Sequence, residues 1–145
     1  MKSLHLVLLA ALAGFTAAAD ARDERLKMPL KDALATPAAQ EKMNPAVKLY
    51  FGDTPHAKPE LTLGTFTANK KTNFFNKSDK EGCEWVFLSA VLALQQRALK
   101  EGGNAVVDVH SVYRNATLRS RTQYDCGAGA VVGGVALRGT VVKLP

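Results

Sequence analysis

The stretch CEWVFLSAVLALQQRALKE, Cys83–Glu101, decides the fold. It contains no glycine or proline and is rich in Leu, Ala, Gln and Arg, which lose little side-chain freedom in a helix. Its first half, Trp85 to Leu94, is apolar nearly all round, which predicts burial on every side. Its second half turns amphipathic, with Gln95, Gln96, Arg97, Lys100 and Glu101 expected to face water. Gly102-Gly103 ends it, because glycine takes the left-handed backbone of a helix C-cap without penalty. A buried helix needs a layer to pack on, and the flanking sequence reads as strands.

Downstream, Ala105 to Tyr113 is a strand by its run of Val. Leu118 to Cys126 is a more polar strand, expected towards a sheet edge, and Gly127-Ala128-Gly129 is a flexible joint. Ala130 to Leu144 reads as a last strand or pair of strands, broken by Gly133-Gly134 and Gly139. Glycine inside a strand marks a bulge or a close backbone approach. Upstream, Ala46 to Phe51 and Leu61 to Thr67 are strands, with Leu61, Leu63, Thr65 and Thr67 on one side. Gly52-Asp53-Thr54-Pro55 is a turn, and Asn69 to Gly82 is a long polar loop. Residues 22–45 form an N-terminal extension with short helices: Thr36 caps one, Pro37 takes its first position, and Asn44-Pro45 stops it. The expected fold class is α+β. A mostly antiparallel sheet carries one central buried helix, about 83–101, within a single domain over 46–145.

The first residues have the order of a secretory signal peptide. Lys2 supplies positive charge, Leu6 to Phe15 is apolar, and small residues follow. Ala19 and Ala21 place the cut before Arg22; Ala17 and Ala19 place it before Asp20. A spanning helix needs about 20 apolar residues, more than this run offers. No cysteine lies near the cut to take a lipid anchor. The expected compartment is therefore the periplasm or the medium. Cleavage before Arg22 leaves 145 − 21 = 124 residues, and losing Lys2 and Asp20 leaves the net charge at +6. Such a charge attracts anionic surfaces, or serves solubility alone. The basic residues are scattered, with clusters at Lys70, Lys71, Lys77 and Lys80 and at Arg114, Arg119 and Arg121. Both cysteines, Cys83 and Cys126, fall in the mature chain, and an even count in an exported protein points to a disulfide. A free thiol pair or a metal site is the alternative, although a structural zinc wants four ligands.

Candidate chemistry is sparse, and no catalytic residue or cofactor is expected. The glycine-rich run Gly127–Gly134 lacks the Gly-Lys-Ser/Thr ending of a Walker A loop and misses the G-x-G-x-x-G spacing. No G-x-S-x-G elbow is present. Asp108 and His110, two apart on a strand, share a face and are weak metal candidates, with His56 or Asp125 as a third ligand. An ordinary polar sheet face explains the pair as well. Phe74-Phe75 lies among lysines, a pattern that stacks bases, enters a membrane interface or caps the core. Asn76-Lys77-Ser78 and Asn115-Ala116-Thr117 match the glycosylation pattern by chance. Partners of this composition are an envelope protein or an anionic surface; no specific nucleic acid and no membrane span are expected.

From about Lys48 onward the chain resembles a group of small exported bacterial proteins that carry the inherited name "excinuclease ATPase subunit". The match rests on Lys70-Lys71-Thr72-Asn73, Ser78-Asp79, Cys83-Glu84-Trp85 and Leu88-Ser89-Ala90 through Leu94-Gln95. It continues in Gly103-Asn104-Ala105-Val106-Val107-Asp108, Tyr124-Asp125-Cys126-Gly127-Ala128-Gly129 and Gly134-Val135-Ala136-Leu137-Arg138-Gly139. The name implies a DNA-repair ATPase, but the chain has no Walker A loop and no Cys-x-x-Cys. More distantly the chain is similar to the outer-membrane lipoprotein sensor of the Rcs envelope-stress system, where a helix leads into a Gly-Asn-Ala-Val-Val strand. That resemblance implies a disulfide-tied envelope domain with a sensing role. This chain departs from it in lacking the lipidated cysteine and a second bridge.

Overall fold

The structure, a computed structural model, describes Gly14 and residues 22–145. The expected signal segment lies outside the described residues. The elements are β1 (Asp23–Pro29), α1 (Leu30–Ala35), α2 (Pro37–Lys42), β2 (Lys48–Phe51), β3 (Leu61–Asn73), α3 (Asp79–Glu101), β4 (Ala105–Ser111), β5 (Gln123–Gly129) and β6 (Val132–Lys143). The fold is α+β: a mostly antiparallel six-stranded sheet with the long helix α3 packed on it and a Cys83–Cys126 disulfide.

β6 organises the sheet. β3 pairs with it along its whole length, from Leu61↔Lys143 to Asn73↔Val132, and so occupies one edge. β4 and β5 share the other edge. β4 takes the half from Leu137 to Val142, and β5 takes Gly133 and Gly134. The sheet therefore forks. β2 adds to β4 as the one parallel pair, and β1 adds antiparallel to β5. At the fork the Ser111 hydroxyl oxygen accepts from the Asp125 backbone N–H at 2.9 Å, which satisfies a group that no neighbouring strand reaches.

Several expectations are corrected. Asp23–Pro29, assigned to an extension outside the domain, is a strand of this sheet; Leu26 and Met28 pack on the core while Arg25 and Lys27 alternate outward. β5 is not an edge strand, since it lies between β1 and β6 with Tyr124 to Ala128 buried. The region expected as a long loop, Asn69 to Gly82, is strand up to Asn73 and helix from Asp79. Lysines there suit β3 because it is an edge, where charge deters pairing with another chain. A bulge between Thr62 and Gly64 breaks the expected common face of β3, turning Leu63 and Phe66 towards the core. β6 is a single strand, and its glycines admit close neighbours: a Cβ at Gly133 would lie 2.3 Å from the Phe74 ring. The Thr36 cap on α2 forms as expected, its hydroxyl accepting from Ala39 N–H at 3.1 Å.

Helix α3 starts four residues before Cys83, where the Ser78 hydroxyl accepts from the Glu81 N–H, and ends at Gly102 with φ 82°. Cys83, Val86, Phe87, Ala90, Val91, Leu94 and Ala98 are buried against the sheet. Cys83 bonds Cys126 with Cα atoms 5.9 Å apart across 43 residues of sequence. Closing a loop of that length stabilises the fold by about 4 kcal/mol through the entropy of the unfolded chain. Gln95, expected in water, is buried instead. Its carbonyl oxygen accepts from Asn44 N–H at 2.9 Å, and its amide donates to Asn44 O at 3.0 Å and Val47 O at 2.9 Å. It fastens the approach to β2 onto α3. Replacing Gln95 by Leu strands the Asn44 N–H and the Val47 carbonyl, while Asn44 O keeps the Val47 N–H; each stranded group costs about 1–3 kcal/mol when buried. Gln95→Leu should lower unfolding free energy by about 3 kcal/mol in a denaturant titration. A loss below about 1 kcal/mol would mean that water replaces the side chain there.

Candidate functional site

Trp85 departs from the expectation of burial all round. It is 47% exposed, on an α3 stripe with Glu81, Ser89 and Gln96. Beside it lies a groove of about 490 Å³ lined by Thr36, Ala38, Lys77, Glu81, Glu84, Trp85 and Leu88. The start of α2, with its cap Thr36 and Ala38, forms its other wall. α1 sits down through Leu30 and Ala33, and α2 through Ala39. The Lys42 ammonium lies 4.8 Å from the indole centroid, a cation–π contact. Lys80 pairs with Glu84, and its ammonium is 3.9 Å from Asp32. The groove thus has an aromatic and aliphatic floor with both signs of charge at its rim. The exposed part of Trp85 is roughly 100 Å² of mostly apolar surface, worth about 2.5 kcal/mol to a partner that covers it. Below the groove the Tyr124 hydroxyl is buried without a hydrogen-bond partner among the described residues. Burial, then Glu84 and Asp32, push its titration well above the usual phenol range, so it stays neutral. A second, more open groove of about 540 Å³ lies between α2 and β2, with Leu34, Met43, Leu49 and Tyr50 in its wall.

Asp108 and His110 do meet, by a route the strand periodicity did not give. Asp108 sits at φ 50° in a bulge of β4 between Val107 and His110. His110 is buried, and its Nδ1 lies 2.6 Å from the Asp108 carbonyl oxygen and 3.7 Å from Asp108 Oδ1. Arg119 Nε donates to Asp108 Oδ1 at 3.2 Å, and its Nη2 lies 3.4 Å from His110 Nε2. Both ring nitrogens face a neighbour, and one neighbour is a guanidinium. The two expected third ligands are elsewhere. His56 packs edge-on to Tyr50 at 5.5 Å between centroids. Asp125 is buried, and its Oδ2 accepts from Arg25. Among the described residues no three His, Cys, Asp or Glu side chains gather as a metal would need.

The four lysines do not share one loop. Lys70 and Lys71 are on β3, Lys77 is in the turn before α3, and Lys80 is within α3. Phe74 and Phe75 separate: Phe74 is 3% exposed and caps the core between Gly82 and Gly133, whereas Phe75 is 61% exposed. Asn76 and Asn115, the centres of the glycosylation matches, hold φ 60° and 61°, a backbone that asparagine tolerates better than most residues. No helix among the described residues is long and apolar enough to cross a membrane.

Comparison with protein-family models, characterised proteins and solved structures finds no match to this chain. Geometry therefore ranks the candidates. The Trp85 groove offers uncovered apolar surface, while the Asp108–His110 pair is occupied by Arg119. The exposure of Trp85 follows from the phase of α3 rather than its composition, and the Glu81–Ser89–Gln96 stripe is the sequence signal for it. Adding zinc, copper or nickel should leave the melting temperature unchanged, since a native-state ligand would raise it. A rise abolished by His110→Ala would restore the metal site.

Proposed function

We propose that this chain is an exported, non-enzymatic binding domain of the bacterial envelope that seats a short segment of a partner protein in the Trp85 groove. The observation that carries the reading is the half-exposed indole over a groove walled by two helices. Exposed tryptophans flanked by charge are the usual anchors of protein contacts. The segment that fits places an apolar side chain on Trp85 and Leu88, with charges of either sign towards Lys77, Glu81 and Glu84. The buried disulfide supports an oxidising compartment, in keeping with the signal-like N-terminus. The resemblance to the Rcs lipoprotein sensor supports a reporting role in envelope stress. The alternative reading, a small-ligand or metal binder at Asp108 and His110, has less support because Arg119 occupies the pair.

A photo-crosslinking residue at Glu81, on the rim, tests the reading in intact cells. One discrete protein adduct should form from Glu81, none from the exposed Leu99 distant on α3, and the Glu81 adduct should fall at least tenfold in Trp85→Ala. Equal adducts from both positions, or none from Glu81, would refute a docking role for the groove.

A further inference from the structure

Three of the large exposed apolar side chains stand together at one end of the sheet. Phe75 is 61% exposed, Val131 59% and Val132 52%. Phe75 follows the last residues of β3, Val131 lies in the β5–β6 turn, and Val132 begins β6. The two segments are tied: Phe74 N–H donates to Val131 O at 2.7 Å, and Asn73 is in register with Val132. Phe75 N–H donates to Asn73 Oδ1 at 2.8 Å, which holds its backbone in place. Phe74 beneath it fills the slot between Gly82 and Gly133. The tip is therefore a built, anchored surface that ends in uncovered hydrocarbon.

Charge at this end is lopsided. Of the carboxylates near this end, Asp23 is paired by Arg114, Glu24 and Asp79 share Arg22 at 2.9 and 2.5 Å, and Glu81, four residues after Lys77, makes no ion pair among the described residues. Lys71, in register with Gly134, and Lys77, whose ammonium donates to Asn73 O at 2.8 Å, make no ion pair among the described residues. Lys70 lies one residue back on β3, while Lys80 is engaged by Glu84 and Asp32. The chain also enters the fold here. Asp23 is in register with Gly129, two residues before Val131.

We propose that this tip, Phe75, Val131 and Val132 rimmed by Lys71 and Lys77, is a contact site for an anionic lipid bilayer. An aromatic and two aliphatic side chains reach the acyl boundary while lysines meet the headgroups. Binding of this kind holds the exported domain against a membrane with its N-terminal end facing the lipid. The surface shares Lys77 with the Trp85 groove but its apolar residues Phe75, Val131 and Val132 lie outside that groove, so the two sites are told apart by the apolar substitutions: Trp85→Ala leaves vesicle binding intact.

The test uses protein recovered from cells expressing the full chain, sedimented with phosphatidylglycerol-containing vesicles or with pure phosphatidylcholine vesicles. Wild type should bind the anionic vesicles and bind the neutral ones much more weakly. The triple variant Phe75→Ser, Val131→Ser, Val132→Ser should lose at least tenfold in affinity on anionic vesicles while keeping its melting temperature, because all three residues are exposed. The pair Lys71→Gln, Lys77→Gln should lose about tenfold at low salt, and the loss should shrink at high salt. The proposal is overturned if wild type ignores anionic vesicles or if the triple variant binds them as wild type does. It is equally overturned if the triple substitution abolishes only self-association or single-stranded DNA binding.

Discussion

The bond between Cys83 and Cys126 sets the geometry on which the rest depends. It joins the early part of α3 to the middle of β5, with both residues fully buried. Successive helical residues turn about 100°, so a side chain two positions on lies on nearly the opposite side. Fixing Cys83 against the sheet therefore sends Trp85 outward. The same phase buries Val86, Phe87, Ala90, Val91, Leu94 and Ala98. The Phe87 ring then meets Tyr124 at 4.3 Å and Phe51 at 6.1 Å between centroids. The buried stripe of α3 and the exposed indole are thus consequences of one rotation.

The fork in the sheet has a matching logic. β6 is long enough to pair with two strands in succession on one edge, so β4 and β5 need not pair with each other. The polar cost at their junction is met in part by Ser111 and by the Arg25–Asp125 pair, while Asp125 Oδ1 is buried without a partner among the described residues. Small residues make the close approaches possible. A Cβ at Gly127 would lie 2.0 Å from the Tyr113 hydroxyl, and one at Gly139 would lie 2.5 Å from Val106. Such glycines let aromatic and branched side chains approach the backbone closely.

What could be read in the sequence follows from which physical signal was local. The helix, its glycine stop, the Thr36 cap and the cysteine pairing all depend on neighbouring residues or on count, and they were legible. Gln95 was misread because residue type was weighed above phase: it follows Val91 by four and belongs to the buried stripe. β1 was missed because its alternation, Arg25-Leu26-Lys27-Met28, is short and charged. The reach of β3 into Lys70 and Lys71 is set by its partner β6, which no local pattern reports. The bulge at Asp108 needs a positive φ at a non-glycine residue, so the route by which Asp108 reaches His110, and the arrival of Arg119, are visible only in three dimensions. The Phe75–Val131–Val132 tip likewise joins segments far apart in the chain.

The central claim is that a buried Cys83–Cys126 bond fixes the rotation of α3 against the sheet. The most direct measurement is the thiol state of protein taken from cells and unfolded in urea with an alkylating reagent, read by mass spectrometry. The expected result is no alkylation at Cys83 or Cys126 without reductant, and alkylation of both after reduction. Alkylation of both cysteines without reductant would contradict the account.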